Sequence, residues 1–137
     1  MAAINPAKCN SDFTRFHSFA CRTDITLTDL DAVQFRIMED GTERIRFIEY
    51  KHKNESRRKM QNEVLKRFMN FIPYLNRISR FTVFELYMVI CNFKINGPEI
   101  YLEDQAKVYN LIEKNSKELN ELELISFLDF TTNWEDL

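Results

Sequence analysis

The sequence lacks several features that would assign it to a particular class of protein. No apolar run approaches the roughly 20 residues that a membrane-spanning helix needs. The first residues, Met-Ala-Ala-Ile-Asn-Pro, lack the apolar core of a signal peptide. The three cysteines, Cys9, Cys21 and Cys91, are widely spaced and form no CxxC pair. We therefore expect free thiols in a reducing cytoplasm, with no zinc site and no membrane association.

The composition indicates one globular domain over residues 1–137. Apolar residues make up 45% of the chain and twelve residues are Phe, which is enough to bury a core. The net charge is only −2, but residues 44–80 hold eleven Lys or Arg and three acids, while residues 99–137 hold three Lys and ten acids. This distribution predicts one face for a polyanion and another turned away from it. The alternative is that the two halves simply attract each other.

Two alternating apolar segments, Ala32–Met38 and Arg44–Ile48, predict a β-hairpin. Asp40-Gly41-Thr42 suits a three-residue loop, because Gly supplies the positive φ that such loops need. An odd number of loop residues keeps the Asp31 and Glu49 side chains on the same face, whereas a two-residue loop would separate them. The expected cross-strand pairs are Glu39 with Glu43, Ile37 with Ile45, Phe35 with Phe47, Val33 with Glu49 and Asp31 with Lys51.

The remaining elements predict an α/β fold, a central mixed β-sheet flanked by helices. A short helix begins near Ser11-Asp12, and Thr23–Leu27 is expected to be a strand. Ser56 caps a long helix that Pro73 kinks or ends, with Tyr74–Ile78 as a possible further turn. The later predictions are a long central strand over Thr82–Ile95, a break at Asn96-Gly97-Pro98, a helix over Glu103–Lys114, and a helix or a strand over Glu118–Phe130.

Glu49-Tyr50-Lys51, at the end of the second hairpin strand, is the candidate site. Two carboxylates and an ammonium on adjacent strands could hold a divalent metal and polarise a phosphate. In the predicted register Asp31 and Glu49 are diagonal neighbours about 7–8 Å apart at the backbone. The alternative is a surface strand whose end carries solvated charges.

Asp31, Glu49 and Lys51, with the helix that follows, resemble the PD-(D/E)XK phosphodiesterase superfamily, over about residues 11–95. The resemblance implies a restriction-endonuclease-like core in which Asp31 and Glu49 bind Mg²⁺ or Mn²⁺ and Lys51 positions or activates the attacking water. Asp29 could share the metal, and Gln61 matches a Gln that several members carry on this helix. The sequence departs from the pattern at Leu30, where the family has Pro, and the N-terminal helix has no Glu.

Basic residues around the start of the long helix predict nucleic-acid binding. Cations in a first helical turn oppose the helix dipole, which is understandable if an anion binds there. The alternative is that they are fully hydrated. The predicted nucleic-acid-binding residues are Lys53, Arg57, Arg58, Lys59, Lys66 and Arg67.

Together these features predict a Mg²⁺- or Mn²⁺-dependent nuclease, with DNA a more expected substrate than RNA and no organic cofactor. We expect a homodimer, with Phe84, Tyr87 and Val89, or the acidic C-terminal helix, as possible contacts. One alternative is a nucleic-acid-binding protein of the same fold without turnover. Another is an interaction module that docks a basic partner on the acidic extension 99–137, through Glu118, Glu121, Glu123, Glu135 and Asp136.

Overall fold

The computed structural model describes residues 32–54 and 59–137. The helix predicted near Ser11, the strand Thr23–Leu27 and the cap Ser56 lie outside these residues. The described elements, in chain order, are β1 (Ala32–Ile37), β2 (Glu43–Lys51), α1 (Lys59–Ile78), β3 (Thr82–Asn96), β4 (Glu99–Asn110), β5 (Asn115–Leu119), α2 (Glu121–Leu128) and a 3-10 turn (Trp134–Asp136). None of the helices in this part of the chain is long and apolar enough to cross a membrane.

The strands form one five-stranded mixed sheet in the order β1-β2-β3-β4-β5. β2 and β3 are parallel, and the other neighbouring pairs are antiparallel. Parallel neighbours need a long crossover, which α1 provides. The predicted α/β class and mixed sheet are confirmed, with β3 as the predicted long strand at the centre.

The register of the first hairpin differs from the prediction by two residues. Ile37 pairs with Glu43 and Val33 with Phe47, so neither the predicted pairing of Val33 with Glu49 nor the three-residue loop is correct. The Asp40 carboxylate accepts hydrogen bonds from the backbone N–H and the hydroxyl of Thr42, at 2.9 and 2.6 Å. These bonds hold Thr42 inside the turn and lower the pKa of Asp40.

The two faces of the sheet bury separate apolar clusters. Strand side chains alternate between faces, so Leu86 and its neighbour Tyr87 belong to opposite sides. Leu86 packs with Leu65 and Ile72 of α1, and Phe47 and Phe68 lie against this cluster. Tyr87 packs on the other side with residues of the C-terminal segment, among them Leu124, Phe127 and Trp134. We call these sides the α1 face and the α2 face.

The helix predicted over Glu103–Lys114 is wrong, because this segment belongs to β4 and the turn after it. Ala106 and Val108 are fully buried, and the residue between them, Lys107, is exposed. This alternation has the two-residue period of a strand, which the charged residues of the segment obscured in the sequence. The ambiguous segment Glu118–Phe130 divides into the end of β5 and helix α2. The Asn120 side chain accepts from the Glu123 N–H, and the Glu123 carboxylate accepts from the Asn120 N–H, a capping box that starts α2.

Pro73 lies on the exposed side of α1 and does not end it. The helix continues to Ile78, so Tyr74–Ile78 form the further turn that the sequence suggested. The Asn76 side chain then hydrogen-bonds the backbone N–H and C=O of Phe84 at 2.7 and 2.9 Å. These two bonds attach the end of α1 to the start of β3. Asn96-Gly97-Pro98 interrupts the strands as predicted, with Gly97 at φ +60°.

Candidate active site

Glu49 and Lys51 form a buried ion pair at the carboxyl end of β2. Their exposed fractions are 3% and 4%, and Glu49 Oε1 lies 3.4 Å from Lys51 Nζ. Alternation along β2 places both side chains on the α1 face with Phe47. Their partners in the parallel register are Met88 and Ile90 of β3. The acid-x-Lys triplet is therefore part of the interior and not the end of a solvated strand.

Burying such a pair is costly. Both ions lose hydration, and their mutual attraction repays that loss only when the geometry is excellent and further hydrogen bonds are present. Apolar residues of similar volume often stabilise a fold equally well or better. Buried ionisable groups at the end of a strand are characteristic of functional sites, where their chemistry is used.

The site also lies at a favourable place in the topology. In open sheets with parallel strands, ligands bind beyond the carboxyl ends of the strands. Lys51 is the last residue of β2, and the chain then continues into the crossover helix α1. The end of this parallel pair is therefore the expected position for a substrate.

Several predicted site residues lie outside the described part of the chain. Asp29, Asp31, Arg57 and Arg58 are among them, and so are the side chains of Lys59 and Gln61, whose backbone belongs to α1. Ala32, the residue after Asp31, pairs with Ile48, the residue before Glu49. Glu49 is thus the one predicted metal ligand that the described residues include.

Within residues 32–54 and 59–137, no group of three or more His, Cys, Asp or Glu is arranged to hold a metal ion. Two of the three predicted ligands are not among those residues. The Glu49 carboxylate has the oxygen donors that Mg²⁺ and Mn²⁺ accept, and Mg²⁺ is commonly held by only one or two carboxylates with waters and a substrate phosphate.

Tyr50 and His52 face the other side of β2, as alternation predicts. The Tyr50 hydroxyl donates to the Cys91 carbonyl at 3.0 Å, and it lies 3.4 Å from His52 Nδ1. The rings of Tyr50 and Phe93 have centroids 5.8 Å apart. Cys91 itself is a buried free thiol, and burial raises its pKa to about 11.

The basic side chains predicted to bind nucleic acid are accessible where the structure describes them. Lys66 and Arg67 are exposed and pair only loosely with Glu63 on the same helix, at 3.9 and 3.4 Å. Lys53 lies 3.8 Å from the exposed carboxylate of Asp104. Exposed pairs of this kind contribute at most about 1 kcal/mol each, so an incoming polyanion could replace the acids.

Part of the positive charge of residues 44–80 is internal. Arg46 is buried, with its Nε 2.9 Å from Glu85 and its guanidinium 3.9 Å from the ring centre of Phe130. It also donates to the Phe127 carbonyl. Arg44 pairs with Glu85 as well, at 3.6 Å. Sequence reasoning missed this cluster because Arg46 is 39 positions from Glu85 and 81 positions from Phe127 along the chain.

The residues suggested for contacts between copies are mostly internal. Tyr87 and Val89 are buried in the α2-face core, and Phe84 is partly buried against α1. The sequence allowed these positions to be surface contacts, because a long apolar strand does not show which of its sides the rest of the chain covers. Two acids of the C-terminal segment have structural partners, since Glu121 accepts from the Leu102 N–H at 2.6 Å and Glu123 belongs to the capping box.

Comparison with protein-family models, with curated proteins and with solved structures finds no match to this chain.

Proposed function

We propose that the chain is a metal-dependent nuclease that hydrolyses phosphodiester bonds in nucleic acid, with DNA as the preferred substrate. The observation that carries this proposal is the burial of Glu49 and Lys51, 3.4 Å apart, at the carboxyl end of a parallel strand. Burying two opposite charges costs hydration that apolar side chains would not lose, and buried ionisable groups of this kind occur at functional sites.

The proposed metal ligands are Asp31 and Glu49, with Asp29 sharing the ion. Asp31 comes directly before Ala32, the first residue of β1. Ala32 pairs with Ile48, which precedes Glu49 in β2. A bound Mg²⁺ or Mn²⁺ would supply charge stabilisation at the phosphate and a water of lowered pKa. The donor set of two or three carboxylates fits either ion.

Lys51 is the proposed partner of the attacking water or of a phosphate oxygen. Its ammonium lies 3.4 Å from the carboxylate of Glu49, one of the proposed ligands. A buried cation in a site that excludes water interacts more strongly with a developing negative charge than an exposed one does. Gln61, near the start of α1, is proposed to hold the water or the backbone of Lys51.

Lys53, Lys66 and Arg67 are proposed to bind the nucleic-acid backbone, together with Arg57, Arg58 and Lys59. Lys66 and Arg67 are exposed on α1, close in sequence to the turn that follows β2. The order of hairpin, helix and parallel strand supports a restriction-endonuclease-like core as part of this proposal.

The test uses supercoiled, linear and branched DNA with Mn²⁺, Mg²⁺ or EDTA. The variants are Asp31→Asn, Glu49→Gln and Lys51→Met, and Glu63→Gln is the matched control because Glu63 is an exposed acid on α1. We expect cleavage that requires the metal, is lost in the first three variants and is retained in the control. Circular dichroism checks that each variant is folded.

Three results would contradict the proposal in different ways. Cleavage that survives in both Asp31→Asn and Glu49→Gln would reject the assigned site. Binding without nicking in Mn²⁺ would favour a nucleic-acid-binding protein without turnover. Failure to bind at low salt, where phosphate contacts are strongest, would favour an interaction module.

A further inference from the structure

β1 presents an apolar row at the edge of the described sheet. It is the first strand in the order β1-β2-β3-β4-β5, and its one described neighbour is β2. Val33, Phe35 and Ile37 share the α1 face, since Val33 and Phe35 pair with Phe47 and Ile45. Their exposed fractions are 53%, 74% and 70%. A long apolar edge strand is a template for pairing with another strand.

The flank of α1 that carries Phe68 is also apolar. Phe68 contacts Phe47 of β2, with ring centroids 5.4 Å apart. Phe71 and Ile78 follow Phe68 by three and ten positions, so they lie on the same flank of the helix. Both are more than half exposed. Phe47 connects the two apolar surfaces, because it pairs with Val33 of β1 and contacts Phe68 of α1.

We propose that this edge is the interface between two copies of the chain, in which β1 pairs antiparallel with the partner's β1 around a two-fold axis at Phe35. The pairing joins the two five-stranded sheets into one continuous sheet. The partner's Phe35 then lies opposite Phe35, Val33 lies opposite the partner's Ile37, and Gln34 lies opposite the partner's Arg36.

The sequence of β1 favours this occupant and this register. Val33, Phe35 and Ile37 are symmetric about the central Phe, so an antiparallel copy meets apolar residues with apolar residues on the α1 face. A shift of two residues in one direction would place Arg36 opposite the partner's Arg36, and like charges directly opposite are destabilising. In the proposed register the amide of Gln34 lies opposite the guanidinium of the partner's Arg36 instead.

The available area is sufficient for a dimer. A large aromatic side chain can bury about 150–250 Å². From their exposed fractions, Val33, Phe35, Ile37, Phe71 and Ile78 together offer roughly 500 Å² per copy, or roughly 1,000 Å² in total, which is about the minimum for a specific interface. Main-chain hydrogen bonds along β1 add to this contact.

A two-fold axis perpendicular to the sheet keeps the two α1 faces on the same side. The two Glu49–Lys51 pairs would then open toward one side of the dimer. Strand rise and strand spacing put them about 30 Å apart. The interface itself does not depend on the proposed nuclease activity, and its test below measures only association.

The test measures the mass of the full chain in solution by light scattering, for the wild type, Phe35→Lys and Ile95→Lys. Ile95 is the matched control, because it is an equally exposed apolar residue on the β3–β4 hairpin, at 78%. We expect twice the 16.5 kDa chain mass for the wild type and for Ile95→Lys, and the mass of one chain for Phe35→Lys. Phe35→Cys should form a disulfide-linked dimer on oxidation that the wild type and Ile95→Cys do not form, because directly opposed residues lie within disulfide reach.

Two results would overturn the proposal. A wild type that has the mass of one chain would mean that another segment, such as residues 1–31, or a different protein covers the edge. A Phe35→Lys variant that remains dimeric, without cross-linking of Phe35→Cys, would place the interface elsewhere. Circular dichroism of Phe35→Lys separates lost association from lost folding, and the cysteine variant tests the register even if the lysine variant is unstable.

Discussion

β2 carries an ion pair on each face of the sheet. On the α2 face, Arg46 joins Glu85 of β3 to the Phe127 carbonyl and the Phe130 ring of the C-terminal segment. On the α1 face, the ion pair of Glu49 and Lys51 joins two residues of the same strand. The first connects parts of the chain that are far apart in sequence, and the second lies at the carboxyl end of a parallel strand. We therefore expect the first pair to contribute mainly to stability, and we propose a chemical role for the second.

The largest effect is expected from Arg46→Ala. This change leaves Glu85 without its closest cation and removes the guanidinium from between aromatic rings, so we expect a loss of about 3–5 kcal/mol in the free energy of unfolding. Urea denaturation measures it. Arg36→Ala is the control, because Arg36 is exposed and donates one described hydrogen bond to the Asp129 carbonyl. Equal losses in both variants would remove the distinction between Arg46 and an ordinary surface Arg.

The double variant Glu49→Gln/Lys51→Met tests the other side of the comparison. Both side chains keep their approximate volume while the charges disappear, so the free energy of unfolding should change by no more than about 1 kcal/mol. Cleavage of supercoiled DNA should fall about a hundredfold or more, because the proposed metal ligand and the cation are both lost. A large loss of stability with unchanged cleavage would make this pair structural, like Arg46 and Glu85.

The α2 face should also be sensitive to alkaline pH. Burial raises the pKa of Cys91 from 9.0 to about 11, and burial near Glu85 raises that of Tyr87 as well. Groups with a raised folded pKa contribute stability below their unfolded pKa and lose it as the pH rises toward the folded value. The free energy of unfolding should therefore fall by an amount on the order of 2 kcal/mol between pH 9 and 11. The melting temperature should fall with it.

Cys91→Ala and Tyr87→Phe identify the groups responsible. Each should flatten the dependence of the melting temperature on pH over that range. A slope that none of the α2-face variants changes would mean that the alkaline loss arises elsewhere in the chain.

The smallest effects on stability are expected from Lys66→Gln and Arg67→Gln. Their pairs with Glu63 are exposed, so each change should alter the free energy of unfolding by less than about 0.5 kcal/mol. If each cation contacts a phosphate, each variant should lower the slope of log affinity against log salt by nearly one unit, measured for DNA in EDTA. Unchanged slopes in both would remove α1 from the proposed nucleic-acid surface.

The local pattern was sufficient for much of the fold and for one half of the candidate site. Alternation located β1 and β2, the wealth of β-branched and aromatic residues located β3, and helical spacing located α1. The same alternation put Glu49 and Lys51 on one face of β2, where the structure has them. The hairpin register could not be read in this way, because the hydrogen bonds of Asp40 with Thr42 changed the turn without changing the apolar pattern. β4 was mistaken for a helix because its buried residues are few and separated by charged ones.

The amino-acid sequence by itself determined which residues can alternate across a strand, and therefore that Glu49 and Lys51 point the same way. It also determined the spacing of acidic and basic residues along the chain. Only the tertiary structure decided that the Glu49–Lys51 pair is buried while Lys66 and Arg67 stay in water. The physical reason is that burial depends on contacts between segments far apart in sequence, whereas the direction of a side chain depends on its own strand.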